Sequence, residues 1–471
     1  MDLKTKILEF FPYTPTSDQH KALDLCLKFF TRAGQQEVLL LKGYAGTGKT
    51  ALISAVVRFL TENKQSCVLM APTGRAAKVF ASYSGHAATT IHKKIYRQKV
   101  VDGGYSGFDL NDNLHENTLF FVDEASMISN ENPEGSFFGS GRLLDDLLRY
   151  VYSGNHCRLI MMGDTAQLPP VGSAYSPALD QSNLEALGMQ VSAVEFTQVV
   201  RQEQHSLLLD NATALRQALA ENRVSDIPVL NTGKKTDVLR IQGEDLIDAL
   251  QSAYDRCGMD ECKIICRSNK QAVRYNQGIR SRIFYKEEEL STGDLLLVAK
   301  NNYFWSQPFK EIPFIANGDL IEVRRVRKIT ELYGFRFADL EVRFPETDWE
   351  MEVKVILDSL VSEAPALDQA ARQKLYEAVL LDYADVGSKK ALYAKLRMDP
   401  WFNALQVKYG YAMTCHKAQG GQWKEIFLDQ GWLAPEMLGA EYYRWLYTAM
   451  TRAVEKIHLV NFKEEYLINK D

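Results

Sequence analysis

The stretch VLLLKGYAGTGKT, residues 38–50, decides how the rest of the chain is read. It passes from an apolar run, Val38 to Lys42, into GYAGTGKT, which fits G-x-x-x-x-G-K-[ST] in full. The apolar run reads as a buried parallel strand, and Thr50 to Asn63 is compatible with a helix. Strand, glycine loop and helix in that order form the setting in which loop N–H groups and a helix N-terminus cradle phosphates. Gly43, Ala45, Gly46, Thr47, Gly48 and Lys49 then form the cradle, with Lys49 reaching the β- and γ-phosphates. The Thr50 hydroxyl is a ligand for Mg²⁺. The plainer alternative is a glycine turn with no ligand.

Outward from this loop, short β-rich runs recur at Cys67 to Ala71, Thr118 to Val122 and Arg158 to Gly163, separated by helix-compatible segments. The alternation predicts a doubly wound α/β domain with a parallel sheet. A later set, Val238 to Ile241, Lys263 to Cys266, Val407 to Met413, Glu425 to Leu428 and Lys456 to Val460, predicts a second sheet of the same build. Two stretches break the pattern. Residues 96–117 hold Gly103, Gly104 and Gly107 among polar and aromatic residues and read as a β-hairpin, with Tyr105 and Phe108 at or near its tip. Residues 291–399 hold three antiparallel-looking runs, Asp319 to Val326, Phe335 to Phe344 and Glu350 to Val355, followed by a helical segment from about Ala364 to Leu396. The expected organisation is a first motor domain over 1–95 and 118–195 and the hairpin over 96–117. A second motor domain follows over 196–290 and 400–471, with a small β-rich insert over 291–399.

Two further motifs follow predicted strands. FVDEAS at 121–126 puts Asp123 and Glu124 at the carboxyl end of a strand, where parallel sheets bind ligands. Asp123 is placed to hold Mg²⁺ through water, and Glu124 to orient and deprotonate an attacking water; either could instead cap a helix. In GDTAQLPPVG at 163–172, Gln167 offers an uncharged amide to a terminal phosphate and to that water, the alternative being a proline-stiffened turn.

Composition bounds the class without choosing the function. At 471 residues, with 46% hydrophobic and 24% charged residues, the chain should form several globular domains. Its apolar runs fall far short of the roughly 20 residues of a membrane helix, and MDLKTKILEF lacks a secretory pattern. Seven cysteines, an odd number, suit a reducing compartment, so a cytoplasmic protein with no membrane partner is expected. Cys257, Cys262 and Cys266 cluster, but a closed zinc site wants a fourth ligand that no nearby residue supplies. The formal charge of -5 works against binding a polyanion unless basic groups concentrate in a groove.

The order of motifs resembles superfamily 1 helicases of the 5′-to-3′ branch that includes the RecD and phage Dda proteins. Besides the three blocks above, the resemblance rests on TSDQ at 16–19, APTGRAAK at 71–78, TTIH at 89–92, TQVVRQ at 197–202, MTCHKAQG at 413–420 and YTAMTRA at 447–453. It implies two RecA-like domains with a hairpin and an SH3-like insert beginning near NGDLIEV at 317–323. It further implies that Gln19 reads adenine and that Arg201 and Arg452 approach the γ-phosphate, each arginine having the alternative of a salt bridge. Pro72, Thr73, Thr90, His92, Thr414, His416 and Lys417 would line a single-strand path, and RSNKQAVRYN at 267–276 adds Asn269. Lys417 or Gln419 facing the nucleotide, and His92 or His416 as core histidines, stand as alternatives.

The implied activity is ATP- and Mg²⁺-dependent translocation on single-stranded DNA with separation of tailed duplexes, by a monomer serving repair, replication or recombination partners. An RNA-directed helicase and a nucleotide-switched clamp compete with it. Lys49→Ala should abolish turnover and leave the fold intact, which an ATPase assay beside a thermal melt will test.

Overall fold

In the computed structural model, residues 2–31, 36–98, 108–131, 139–198, 206–309 and 314–470 are described. The chain divides into two compact units, Met1–Gln204 and His205–Asp471.

The first unit carries strands β1 (Glu37–Gly43), β2 (Cys67–Ala71), β3 (Ala88–Thr90), β4 (Tyr96–Gln98), β5 (Phe108–Leu110), β6 (Leu119–Val122), β7 (Arg158–Gly163) and β8 (Gln190–Phe196). Six of them form one parallel sheet in the order β3-β2-β6-β7-β1-β8. Val38 to Leu41 and Leu159 to Met162 are wholly buried, as central strands covered on both faces must be. One apolar layer sets Leu39 and Leu41 against Leu52, Ile53, Val56 and Val57 of the helix Lys49–Glu62. The opposite layer sets Val38 and Leu40 with Leu144, Leu147 and Val151 of the helix Leu143–Ser153.

The sequence reading missed β8 because only Phe196 of its residues is fully buried, as suits an edge strand. Its pairing with β1, down to Phe196 opposite Gly43, and the Thr197 bonds to Asp18 keep residues 196 and 197 in the first unit rather than at the start of the second. Strands β4 and β5 form the expected antiparallel hairpin. Phe108 packs onto the first unit's core, whereas Tyr105 lies outside the described residues.

In the second unit the strands are β9 (Leu230–Thr232), β10 (Val238–Ile241), β11 (Cys262–Cys266), β12 (Leu295–Val298), β13 (Leu320–Leu332), β14 (Phe335–Phe344), β15 (Trp349–Ile356), β16 (Leu405–Tyr409), β17 (Ala412–Thr414), β18 (Trp423–Asp429), β19 (Ala453–Val460) and β20 (Leu467–Asn469). A parallel sheet runs β10-β19-β18-β11-β17, and a closed barrel runs β12-β13-β14-β15-β16. The β13–β14 turn places Tyr333 and Gly334 both at positive φ, as a tight two-residue hairpin requires. Helices Gln369–Leu381 and Lys389–Arg397 then pack against the barrel.

The run Val407 to Met413 was expected to be one strand of the second sheet. It is two: β16 closes the barrel against β12 and β15, and β17 pairs with β11 in the sheet. The barrel therefore extends past residue 399 to Tyr409. Uniform hydrophobicity across Gly410 hides the change of sheet.

A buried ionic node ties barrel to sheet. Asp294, wholly buried just before β12, accepts from Arg280 Nε and Nη2 at 3.0 Å, from Lys286 Nζ at 3.0 Å and from the Tyr411 hydroxyl at 3.1 Å. Arg280 belongs to the helix Asn269–Arg282, and its guanidinium lies 4.6 Å from the centre of the Tyr409 ring. Asp294→Ala would strand these donors, so urea denaturation should show a loss of about 3–5 kcal/mol.

Candidate nucleotide site and strand contacts

Parallel pairing of β6, β7 and β1 brings their carboxyl ends side by side. The phosphate loop leaves β1 at Gly43, Asp123 follows β6 and Asp164 follows β7. A Cβ on Gly43 would come within 2.6 Å of the Phe196 Cβ. Gly48, with φ 78°, turns the loop into its helix through the left-handed region, which glycine adopts without strain.

Lys49 Nζ donates to the carbonyl oxygens of Gly43 at 2.6 Å and Tyr44 at 2.8 Å. Burial pushes its pKa down, opposed by the carboxylates of Asp164, Asp123 and Glu124. The Thr50 hydroxyl donates to Asp123 Oδ2 at 3.0 Å, and the Glu124 amide donates to Asp123 Oδ1 at 2.8 Å. Burial raises the Asp123 pKa, while those two donors and the Lys49 charge pull it down. Glu124 sits at φ 52°, a left-handed conformation that costs a non-glycine residue about 1–3 kcal/mol and is found mostly where function demands it.

This donor set fits Mg²⁺: one hydroxyl and one carboxylate, hard oxygens in contact, with the remaining positions left to phosphate oxygens and water. Among the described residues, no group of three or more His, Cys, Asp or Glu side chains forms a cage of its own.

Gln167 is 5% exposed, and its Oε1 has no hydrogen-bond partner among the described residues. An uncompensated buried amide oxygen is costly unless a ligand or water meets it. Gln19, 1% exposed, accepts from the Thr16 amide at 2.9 Å and donates to the Thr47 carbonyl at 3.0 Å, so it is latched to the phosphate loop.

Asp164 escaped the sequence reading, although it follows a strand end just as Asp123 does. Its carboxylate accepts from the Ala45 amide at 3.0 Å and the Ala166 amide at 2.9 Å, bracing the loop and the turn that leads to Gln167. A polar residue directly after a buried strand was the available signal.

The proposed strand-contacting residues fall into two sets. In the first unit Thr73 caps the helix Gly74–Ser84 through a bond from the Ala76 amide at 3.2 Å, next to partly exposed Pro72. Thr90 caps Ile91–Ile95 in the same way but is 0% exposed. Its side chain positions the turn bearing His92. His92 lies 5.7 Å, ring to ring, from Tyr96, and burial lowers its pKa to about 4, keeping it neutral near pH 7.

In the second unit Asn269, Thr414 and Lys417 line one cleft. His416 lies next to them in the chain, its pKa lowered by burial. Arg452, 3% exposed, donates to the carbonyls of Thr448 and Gly421 and to the Thr451 hydroxyl. No carboxylate pairs with it among the described residues. Arg201 lies outside them.

The sequence matches the AAA domain family over residues 18–231 and the UvrD-like helicase C-terminal domain family over 409–460. It is 23% identical over 425 residues to the ATP-dependent DNA helicase dda of Enterobacteria phage T4, covering 86% of this chain and 90% of that protein. It is 30% identical over 179 residues to the ATP-dependent RecD2 DNA helicase of Deinococcus radiodurans, 38% of this chain and 21% of that longer protein. In sequence the chain is thus similar to ATP-dependent DNA helicases of the dda and RecD2 kind. Its fold accords with this. Pif1 helicases solved at forked double-stranded DNA superpose with a TM-score of 0.51 at 15% identity, over 97% of this chain and 94% of theirs. Pif1 from Bacteroides, in complex with ADP-AlF3 and single-stranded DNA, gives 0.50 at 15% identity over 97% and 95%.

Asp164→Ala removes the acceptor that fixes Ala45, so the loop should hold triphosphate less firmly. A fluorescent ATP analogue is expected to bind about tenfold more weakly, the worth of a charge-assisted bond, with little change in the melting temperature.

Proposed function

We propose that this chain is an ATP-driven motor that translocates 5′ to 3′ on single-stranded DNA and separates duplex ahead of it. The observation that carries the chemistry is the meeting of Lys49, Thr50, Asp123, Glu124 and Gln167 at adjoining strand ends of one sheet. Lys49 and the loop amides bind the phosphates, and Gln19 beside the loop selects adenine. Thr50 and Asp123 hold Mg²⁺, which when bound neutralises charge on the β- and γ-phosphates. Glu124 takes a proton from the attacking water, which Gln167 orients. Arg201 and Arg452 add positive charge to the transition state.

The substrate follows the relatives: dda and RecD2 are ATP-dependent DNA helicases, and Bacteroides Pif1 was solved on single-stranded DNA. Pro72, Thr73 and His92 in one unit and Asn269, Thr414, His416 and Lys417 in the other grip the strand. Amide, hydroxyl and ammonium donors hold phosphates without reading sequence. Work as a monomer in the cytoplasm belongs to the same reading, supported by seven free thiols. No helix among the described residues is long and apolar enough to cross a membrane.

ATPase rates with and without DNA or RNA oligonucleotides, followed by unwinding of duplexes with a 5′ or a 3′ tail, test the proposal. DNA-stimulated turnover and unwinding from the 5′ tail are expected. Stimulation by RNA alone, or unwinding only from the 3′ tail, would overturn substrate or polarity respectively. Arg452→Ala should retain ATP binding and lose about 10³-fold in turnover. Unchanged hydrolysis would make the arginine structural.

A further inference from the structure

The cleft lined by Asn269, Thr414 and Lys417 has a second wall that no motif announces. That wall comes from the barrel: Leu297 of β12, Leu360 and Ser362 beyond β15, and Lys408 and Tyr409 of β16. Lys408 lies within ten residues of the MTCHKAQG block, yet it faces the cleft from another sheet because the chain changes sheets at Gly410.

Lys408 and Lys417 both reach the loop that follows β15. Lys408 Nζ donates to the Ser362 carbonyl at 2.6 Å and Lys417 Nζ to the Pro365 carbonyl at 3.1 Å. Lys408 is 8% exposed and Lys417 is partly buried. Among the described residues no carboxylate forms an ion pair with either. Burial lowers both to about 8, and for Lys408 the neighbouring Lys417 charge adds to the effect. The other titratable group lining the cleft, the Tyr409 phenol, is pushed up to about 12 and donates to the Glu289 carbonyl. Thr414, 8% exposed, has no side-chain cap bond although it precedes a helix. Two half-desolvated cations without a counter-charge, beside a free hydroxyl and an amide, make a site whose missing component is an anion.

We propose that Lys408 of the barrel joins Lys417, Thr414 and Asn269 in holding a single backbone phosphate of the bound strand, so that the barrel is part of the strand grip. This rests on the motor reading above and adds a residue and a domain to it. Because the phosphate favours the charged ammoniums, binding above pH 8 takes up protons, and affinity falls as pH rises from 7 to 9.

The test is fluorescence anisotropy with an oligo(dA) strand, whose bases do not titrate in this range, across salt and pH. Lys408→Gln should weaken binding about tenfold and lower the salt slope by about 0.7, the value of one phosphate contact on a single strand. Lys408→Arg should restore affinity, and the Lys408→Arg, Lys417→Arg double variant should flatten the pH dependence, since arginine stays charged. A packing role alone would change affinity without moving the salt slope.

If wild type binds the strand and Lys408→Gln matches it in affinity and slope, this inference falls and the motor reading stands. If wild type fails to bind any strand, the motor reading falls first. Inorganic phosphate at constant ionic strength separates the two sources of a phosphate group. Displacement of the strand by submillimolar phosphate would overturn the assignment to a strand backbone.

Discussion

Everything chemical in the first unit depends on β1, β7 and β6 lying next to one another and running parallel. In such a sheet the carboxyl ends share one edge, and whatever follows each strand is delivered there without long-range design. One strand delivers a loop of amides and an ammonium, the next a carboxylate that braces that loop, and the third a carboxylate bonded to Thr50. The burial that makes these strands a core also lowers the dielectric around the site. The Lys49 and Asp123 charges therefore act on each other strongly, and each opposes the shift that burial alone would impose.

The second unit solves a different problem. Its sheet repeats the parallel plan, but between β11 and β17 the chain leaves to build a barrel and two helices before returning. Asp294 holds the departure point by bonding Arg280, Lys286 and Tyr411 at once. A buried carboxylate with that many donors is a rigid joint, because moving any one partner leaves another unsatisfied. A tight Tyr333–Gly334 turn and a closed hydrogen-bond circuit leave the barrel without an exposed sheet edge.

Much of this was legible in the sequence because buried parallel strands announce themselves as uninterrupted apolar runs and the phosphate loop has few alternatives. What stayed hidden shares a cause: local pattern does not report partners. The edge strand β8 lacked a continuous apolar run. Val407 to Met413 read as one strand because hydrophobicity is the same in either sheet. Asp164 was overshadowed by Gln167 because a carboxylate's role as a brace depends on an amide 119 positions away in the chain. The capping bond that Thr90 makes was equally invisible, since a threonine that starts a helix and one that meets a ligand look alike in sequence.

Gly410 and Tyr411 are all that separate the last barrel strand from the strand that leads into Thr414 to Lys417. Two residues offer no slack. With Tyr411 pinned to Asp294 and Gly410 pressed within 3.0 Å of Leu320 by any added Cβ, the connection has the compliance of a bolt rather than a tether. A torque on the barrel is therefore felt at Lys417 undamped. A load applied to the barrel would reach Thr414 to Lys417 through this stiff link.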